Sequence, residues 1–174
     1  VNGKYSTHFS GLYPPHTREA PAYFERRGKK YLFTSGTTGY FPNPTKVCTF
    51  TDFHGEYTDL GDPCINDTYH ISFNSQISCV LKVPDTDLYI ACADRWLPYD
   101  WVPEKARETI EKFEKDFESY KPDLTPRTPQ PLPGKECRHA ENTCESGYVW
   151  LPIEWDGDMP KLRWYNEWKI EDFI

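Results

Sequence analysis

The chain has 174 residues, room for one ordinary domain and not for two large ones. Its 20 Lys and Arg against 27 Asp and Glu leave a net charge of −7, which argues against a nucleic-acid partner. No apolar run approaches the length needed to cross a bilayer, so no membrane partner is expected. Aromatic residues reach 16%, with 6 Trp and 12 Tyr, in a chain of mean hydropathy −0.77. That many rings exceed what a small aliphatic core consumes, and exposed rings suit the flat apolar faces of sugars. Core packing is the competing account for any single Trp.

The first stretch, "VNGKYSTHF", carries neither an initiating Met nor a signal-peptide pattern, which predicts a processed or truncated chain. Three hairpin-like units follow. The first, "APAYFERRGKKYLFTSG" (Ala20 to Gly36), has a Gly-Lys turn between two aromatic-rich strands. After a shorter β-like piece, "TKVCTFTD", comes the second, "ISCVLKVPDTDLYIACAD" (Ile77 to Asp94), turning through Pro84-Asp85. The third, "YVWLPIEWDGDMPKLRWY" (Tyr148 to Tyr165), turns at Asp156-Gly157. The aromatic opening each second strand recurs at Tyr31 and Tyr89, 58 residues apart. Sheets of similar size at a regular period predict an all-β propeller or related β-repeat, each blade taking roughly 40 to 50 residues. A β-sandwich is the alternative.

One segment breaks the pattern. "VPEKARETIEKFEKDFESY" (Val102 to Tyr120) has Pro near its start and apolar Ile110, Phe113, Phe117 and Tyr120 at helical spacing. The Pro-rich stretch after it reads as an extended connector. Residues 102–136 are therefore expected to be an insertion with one amphipathic helix, leaving chain for about three blades. Among the cysteines no metal-ligand spacing is seen. Cys48, Cys79 and Cys92 fall in strand-like runs and are expected to be buried small hydrophobes, while Cys137 and Cys144 are close enough for a local disulfide. Asn66 opens a match to a glycosylation acceptor, "NDT".

Glu19 stands twelve residues before Tyr31, and Gln76 thirteen before Tyr89, each just ahead of the first strand of its hairpin. In a propeller the first strand of each blade lines the axis, so equivalent residues of neighbouring blades converge on one pocket. Glycosidic cleavage needs an acid to protonate the leaving oxygen and a group on the opposite face to handle water. In inverting enzymes the two are about 6.5–9.5 Å apart. A carboxyl group serves as the acid when burial or a like charge raises its pKa. An amide is not an ordinary base, so Gln76 is suited to orienting water or a hydroxyl. A solvated loop carboxylate is the plain alternative for Glu19.

"REAPAYFERRGKKYLFTSG" resembles the acid-bearing signature of glycoside hydrolase family 43, in which Glu before a small residue and Pro introduces a hairpin ending in "YYL…S". The match continues through "TGYFPNP", "FNSQISCVL", "ADRW", "YVWLPIEWDGDMPKLRW" and "EWKIEDF", and is similar to the exo-β-1,3-galactanase branch. The resemblance implies a five-bladed β-propeller that cleaves glycosides with inversion. Glu19 then matches the acid, and Gln76 matches the Gln that this branch has in place of the usual Asp base. Thr38, Tyr40 and Asn43 fall in the loop that borders the sugar pocket, with Tyr40 where Trp is expected. Arg95 and Trp96 match a pocket-edge element, an Arg holding a strand end being the structural alternative. Trp150, Trp155 and Trp164 are read first as core.

By the same resemblance the chain enters at the third blade and forms the C-terminal portion of the propeller, residues 1–174. The front blades are then a separate chain or part of a longer precursor. The implied substrate is β-1,3-linked galactan, a polysaccharide or its oligosaccharides, and the implied location is extracellular or at the cell surface. No redox cofactor or nucleotide is implied, and no acidic cluster has the pattern of a calcium loop, although a structural calcium at the axis is left open. Rival readings are an α-L-arabinofuranosidase or β-xylosidase, a non-catalytic carbohydrate-binding protein, and a structural half that completes a partner chain.

Overall fold

The structure, a computed structural model, describes residues 18–97 and 146–174. The helix and Pro-rich insertion expected over 102–136, and the Cys137–Cys144 pair, lie outside the described residues. β1 (Glu19–Arg26), β2 (Lys29–Ser35), β3 (Lys46–Phe50) and β4 (Tyr57–Gly61) form an antiparallel sheet in chain order. β5 (Cys64–Ile65), β6 (Gln76–Lys82), β7 (Tyr89–Arg95), β8 (Gly147–Asp156) and β9 (Met159–Arg163) form a second, in the order β5-β9-β8-β7-β6. A single 3-10 turn (Ile170–Asp172) follows.

Local chemistry explains the hairpins. Arg27 and Gly28 occupy the first turn with φ of +50° and +75°, the doubly left-handed pattern whose twist matches the flanking strands. The turn is thus one residue earlier than the Gly-Lys step expected. Gly157, at φ +60°, opens the two-residue turn between Asp156 and Met159. In the wider β6–β7 turn Asp85 takes φ +60°, and the Leu88 carbonyl accepts from the Val83 amide at 2.9 Å.

Among the described residues the grouping of the hairpins differs from expectation. The second and third hairpins are not separate blades: β7 pairs with β8 from Tyr89↔Ile153 to Arg95↔Gly147, joining them into one sheet. The described residues therefore make two sheets rather than three. The core lies between them. From the first sheet come Ala22, Phe24, Tyr31, Phe33 and Val47. From the second come Ile77, Tyr89, Ala91, Ala93, Val149, Leu151, Ile153 and Leu162. Each large member stabilises the pair by about 1.5–3 kcal/mol. β1 and β6, the edge strands of the two sheets, pack side by side, so their first residues meet.

Cys48 and Cys92 are buried as expected; Cys79 is exposed. A bulge between Ile77 and Cys79 is the reason, because one extra residue reverses which face a strand position occupies. Trp155 packs its ring against Phe24 and Tyr31, Trp164 is partly buried against the core, and Trp150 is more than half exposed.

Candidate active site

β1 and β6 each begin with a polar side chain and are bulged just after it. In β1 the irregularity falls between Glu19 and Ala22, in β6 between Ile77 and Cys79. Pro21, which lacks an amide hydrogen, sits inside the β1 bulge, where a ladder bond is lost in any case. Ala20 is driven to φ +49°, a conformation that costs a non-glycine residue about 1 kcal/mol. Bulges re-aim side chains, and here they turn two neighbouring strand starts toward each other.

Gln76 Nε2 donates to Glu19 Oε1 at 3.0 Å and to Ser35 Oγ at 2.7 Å. Trp96 Nε1 donates to Gln76 Oε1 at 3.3 Å. A carboxylate and an indole N–H leave the amide one workable orientation, NH2 toward Glu19 and oxygen toward Trp96. Ser35 is almost fully buried, and its hydroxyl also makes a long contact of 3.4 Å with the Glu19 carbonyl. Arg18, preceding Glu19, donates through Nε to Thr34 Oγ1 at 3.1 Å and through Nη2 to the Thr34 carbonyl at 2.9 Å, tying the start of β1 to β2.

Glu19 and Gln76 therefore touch, rather than standing at the separation that brackets a water in an inverting enzyme. A sugar between them would have to replace their mutual bond. Tyr40 is 44% exposed and packs its ring against Trp96 at 5.6 Å. With Ser35, Asn43 and Gln76 these two rings line a recess of about 10 Å³, room for one water. A wider groove of about 700 Å³, lined by Tyr148, Trp150, Trp164 and Trp168 among others, includes neither Glu19 nor Gln76.

The remaining expected site residues are engaged with the backbone. Asn43 Oδ1 accepts from the Gly36 amide at 2.7 Å, and its Nδ2 donates to the Gly36 carbonyl at 3.1 Å and to Thr38 Oγ1 at 2.7 Å. Thr38 Oγ1 in turn donates to the Phe41 carbonyl at 2.5 Å. Both side chains brace the loop that carries Tyr40. Arg95 donates to the carbonyls of Asn74 at 3.2 Å and Phe73 at 3.0 Å, with its guanidinium 5.3 Å from the Trp164 ring centre. It holds a run in which Ser72, Phe73 and Asn74 all take φ between +53° and +58°. So Glu19, Gln76, Tyr40 and Trp96 come together, Asn43 backs them, and Thr38 and Arg95 hold the surrounding chain. Ser35 was missed by sequence reasoning. Its signal was available, since it closes the "YYL…S" hairpin motif.

No family model matches the chain, and no curated protein does. Solved structures do. A GH43 β-1,3-galactosidase determined with galactodeoxynojirimycin superposes with a TM-score of 0.59 at 24% identity, over 89% of this chain and 33% of that one. A second GH43 β-1,3-galactosidase gives 0.61 at 24% identity, over 90% and 24%. An exo-β-1,3-galactanase from Clostridium thermocellum gives 0.50 at 24% identity, over 84% and 23%. The chain spans no more than a third of the length of these three structures. At this level of identity the likeness establishes the fold: the two sheets are arranged as in part of these enzymes, whose family is the one the sequence motifs resemble.

Proposed function

We propose that the two sheets belong to an inverting glycoside hydrolase acting on β-1,3-linked galactan, with Glu19 as the general acid and Gln76 as the group that orients the attacking water. The observation that carries this reading is the direct Gln76–Glu19 hydrogen bond, formed between the first residues of the adjoining edge strands of two separate sheets. Both strands are bulged within a few residues of it.

In this reading a galactosyl unit enters beside Tyr40 and Trp96 and displaces the Gln76 amide from the Glu19 carboxyl. Glu19 then donates its proton to the departing glycosidic oxygen. Gln76, still held by Ser35 and Trp96, accepts a hydrogen bond from water at its carbonyl oxygen or donates one to a sugar hydroxyl. The sheets serve as neighbouring blades of a five-bladed propeller and, because the described recess is water-sized, the rest of the sugar pocket comes from chain beyond the described residues or from a partner. A polymeric substrate places the reaction outside the cell or at its surface.

The test is release of galactose from β-1,3-galactan by the protein and by Glu19→Gln. General acid catalysis contributes about 10²–10⁴-fold, so the variant is expected to lose activity by that factor while still binding the oligosaccharide. Equal release by the two proteins would remove Glu19 from the reaction. Oligosaccharide binding without release by either would favour the carbohydrate-binding alternative.

A further inference from the structure

Cys79 and Cys92 lie directly opposite each other on β6 and β7, on the face of the second sheet turned away from the core. Both are free thiols. Directly opposed residues of antiparallel strands have Cα atoms about 4.5–5.5 Å apart. That falls inside the span of about 4.4–6.8 Å that a disulfide requires. The exposures of the two thiols differ: Cys79 is open to solvent, while Cys92 is buried beneath it.

We propose that Cys79 and Cys92 form a thiol pair built to close into a cross-strand disulfide by exchange with a small-molecule disulfide. The exposed Cys79 thiolate attacks one sulfur of the small disulfide, forming a mixed disulfide and releasing one thiolate that takes up a proton. Cys92 then loses its proton and attacks the Cys79 sulfur, releasing the second small thiol. Two cysteine thiols are oxidised and one small-molecule disulfide is reduced to two thiols, so atoms and electrons balance. Burial and the neighbouring Cys79 push the Cys92 thiol well above its ordinary range, which makes it the resolving partner and Cys79 the entry point.

The position gives the bond a structural effect. β6 is bulged between Ile77 and Cys79, two residues from Gln76, and its ladder is weakest there. A bridge from Cys79 to Cys92 would pin the strand immediately beyond that weak point.

The test is incubation of the protein with oxidised glutathione at mildly alkaline pH, followed by non-reducing peptide mapping. The expected result is one linked pair of peptides containing Cys79 and Cys92, with a thermal midpoint raised by roughly 5–10 °C. Cys92→Ser should instead retain glutathione on Cys79, and Cys79→Ser should leave Cys92 unreactive toward iodoacetamide in the folded protein. A glutathione adduct that persists on Cys79 of the unmodified sequence, or a link from Cys79 to any cysteine other than Cys92, would overturn the proposal. None of these readouts depends on catalytic activity. Cys79→Ser changes an exposed side chain, so the test survives should Cys92→Ser fail to fold.

Discussion

The interface between the two sheets has two ends, and they are built differently. At the turn end charged and hydroxyl groups tie the two sheets together. Arg26, 8% exposed, makes a two-pronged contact with Asp87 at 3.1 and 2.7 Å, and its guanidinium lies 3.9 Å from the centre of the Trp155 ring. The Tyr31 hydroxyl donates to the Asp158 carbonyl at 3.1 Å and the Tyr89 hydroxyl to the Glu25 carbonyl at 2.8 Å, each tying one sheet to the other. Lys29 pairs with Asp158 beside them. At the other end both strands are bulged, Ala20 is held in a left-handed conformation, and the polar groups are Glu19, Gln76, Ser35 and Trp96. The turn end joins the sheets by cross-sheet bonds; the bulged end stores strain and gathers the side chains of the candidate site. Such a division is expected wherever a site is held against the local preferences of the chain.

The largest expected effect on stability is at the turn end. Tyr31→Ala removes a ring that is 1% exposed, stacked on Phe24 at 5.1 Å, and should cost about 3–5 kcal/mol in chemical denaturation. Arg26→Ala should cost about 2 kcal/mol through lost ring stacking and hydrogen bonds, with oligosaccharide binding at the bulged end unchanged. Parallel loss of binding would show that the two ends are coupled.

The Arg26 hydrogen bonds hold the Asp87 carboxyl below the usual carboxylate range. A depressed folded value means that the stabilisation is present above the unfolded pKa, about 4, and is lost as pH falls through the folded value. Because Asp87 is half exposed, the effect should be no more than about 1 kcal/mol. Thermal melts of the protein and of Asp87→Asn should therefore differ at neutral pH and approach each other only as the pH falls from about 4 through the lowered Asp87 value. The smallest effect is at the bulge. Ala20→Gly relieves the left-handed conformation and should stabilise by about 0.5 kcal/mol, read as a small rise in melting midpoint.

The sequence made the local features legible and the distant ones not. Turn chemistry located all three hairpins, because Gly28, Asp85 and Gly157 announce backbone conformations that few other residues adopt easily. The pairing of β7 with β8 was not legible. It joins Arg95 to Gly147 across a long excursion, and no local pattern records which strand edge a hairpin will choose. The bulges were equally silent. Its place in a strand-like run predicted Cys79 inside, and one inserted residue turned it outside.

At the site, the nearly equal spacing of Glu19 and Gln76 from Tyr31 and Tyr89 carried real geometry, since both residues start the adjoining edge strands and meet. Asn43, Thr38 and Arg95 show the limit. Their donors and acceptors are visible in the sequence, but the backbone groups that consume them exist only after the loops have folded.

β5 has a consequence for the order of events on the ribosome. Cys64 and Ile65 pair in parallel with Leu162 and Arg163, and the Leu162 amide donates to the Pro63 carbonyl at 2.8 Å. At synthesis rates of about 5–20 residues per second, the strand waits roughly 5–20 s for a partner nearly a hundred residues downstream. Until then the second sheet has an open outer edge, the kind of surface that recruits stray strands. The nascent chain is thus most exposed to misassembly during that interval, and a chaperone or a slower elongation rate would act there first.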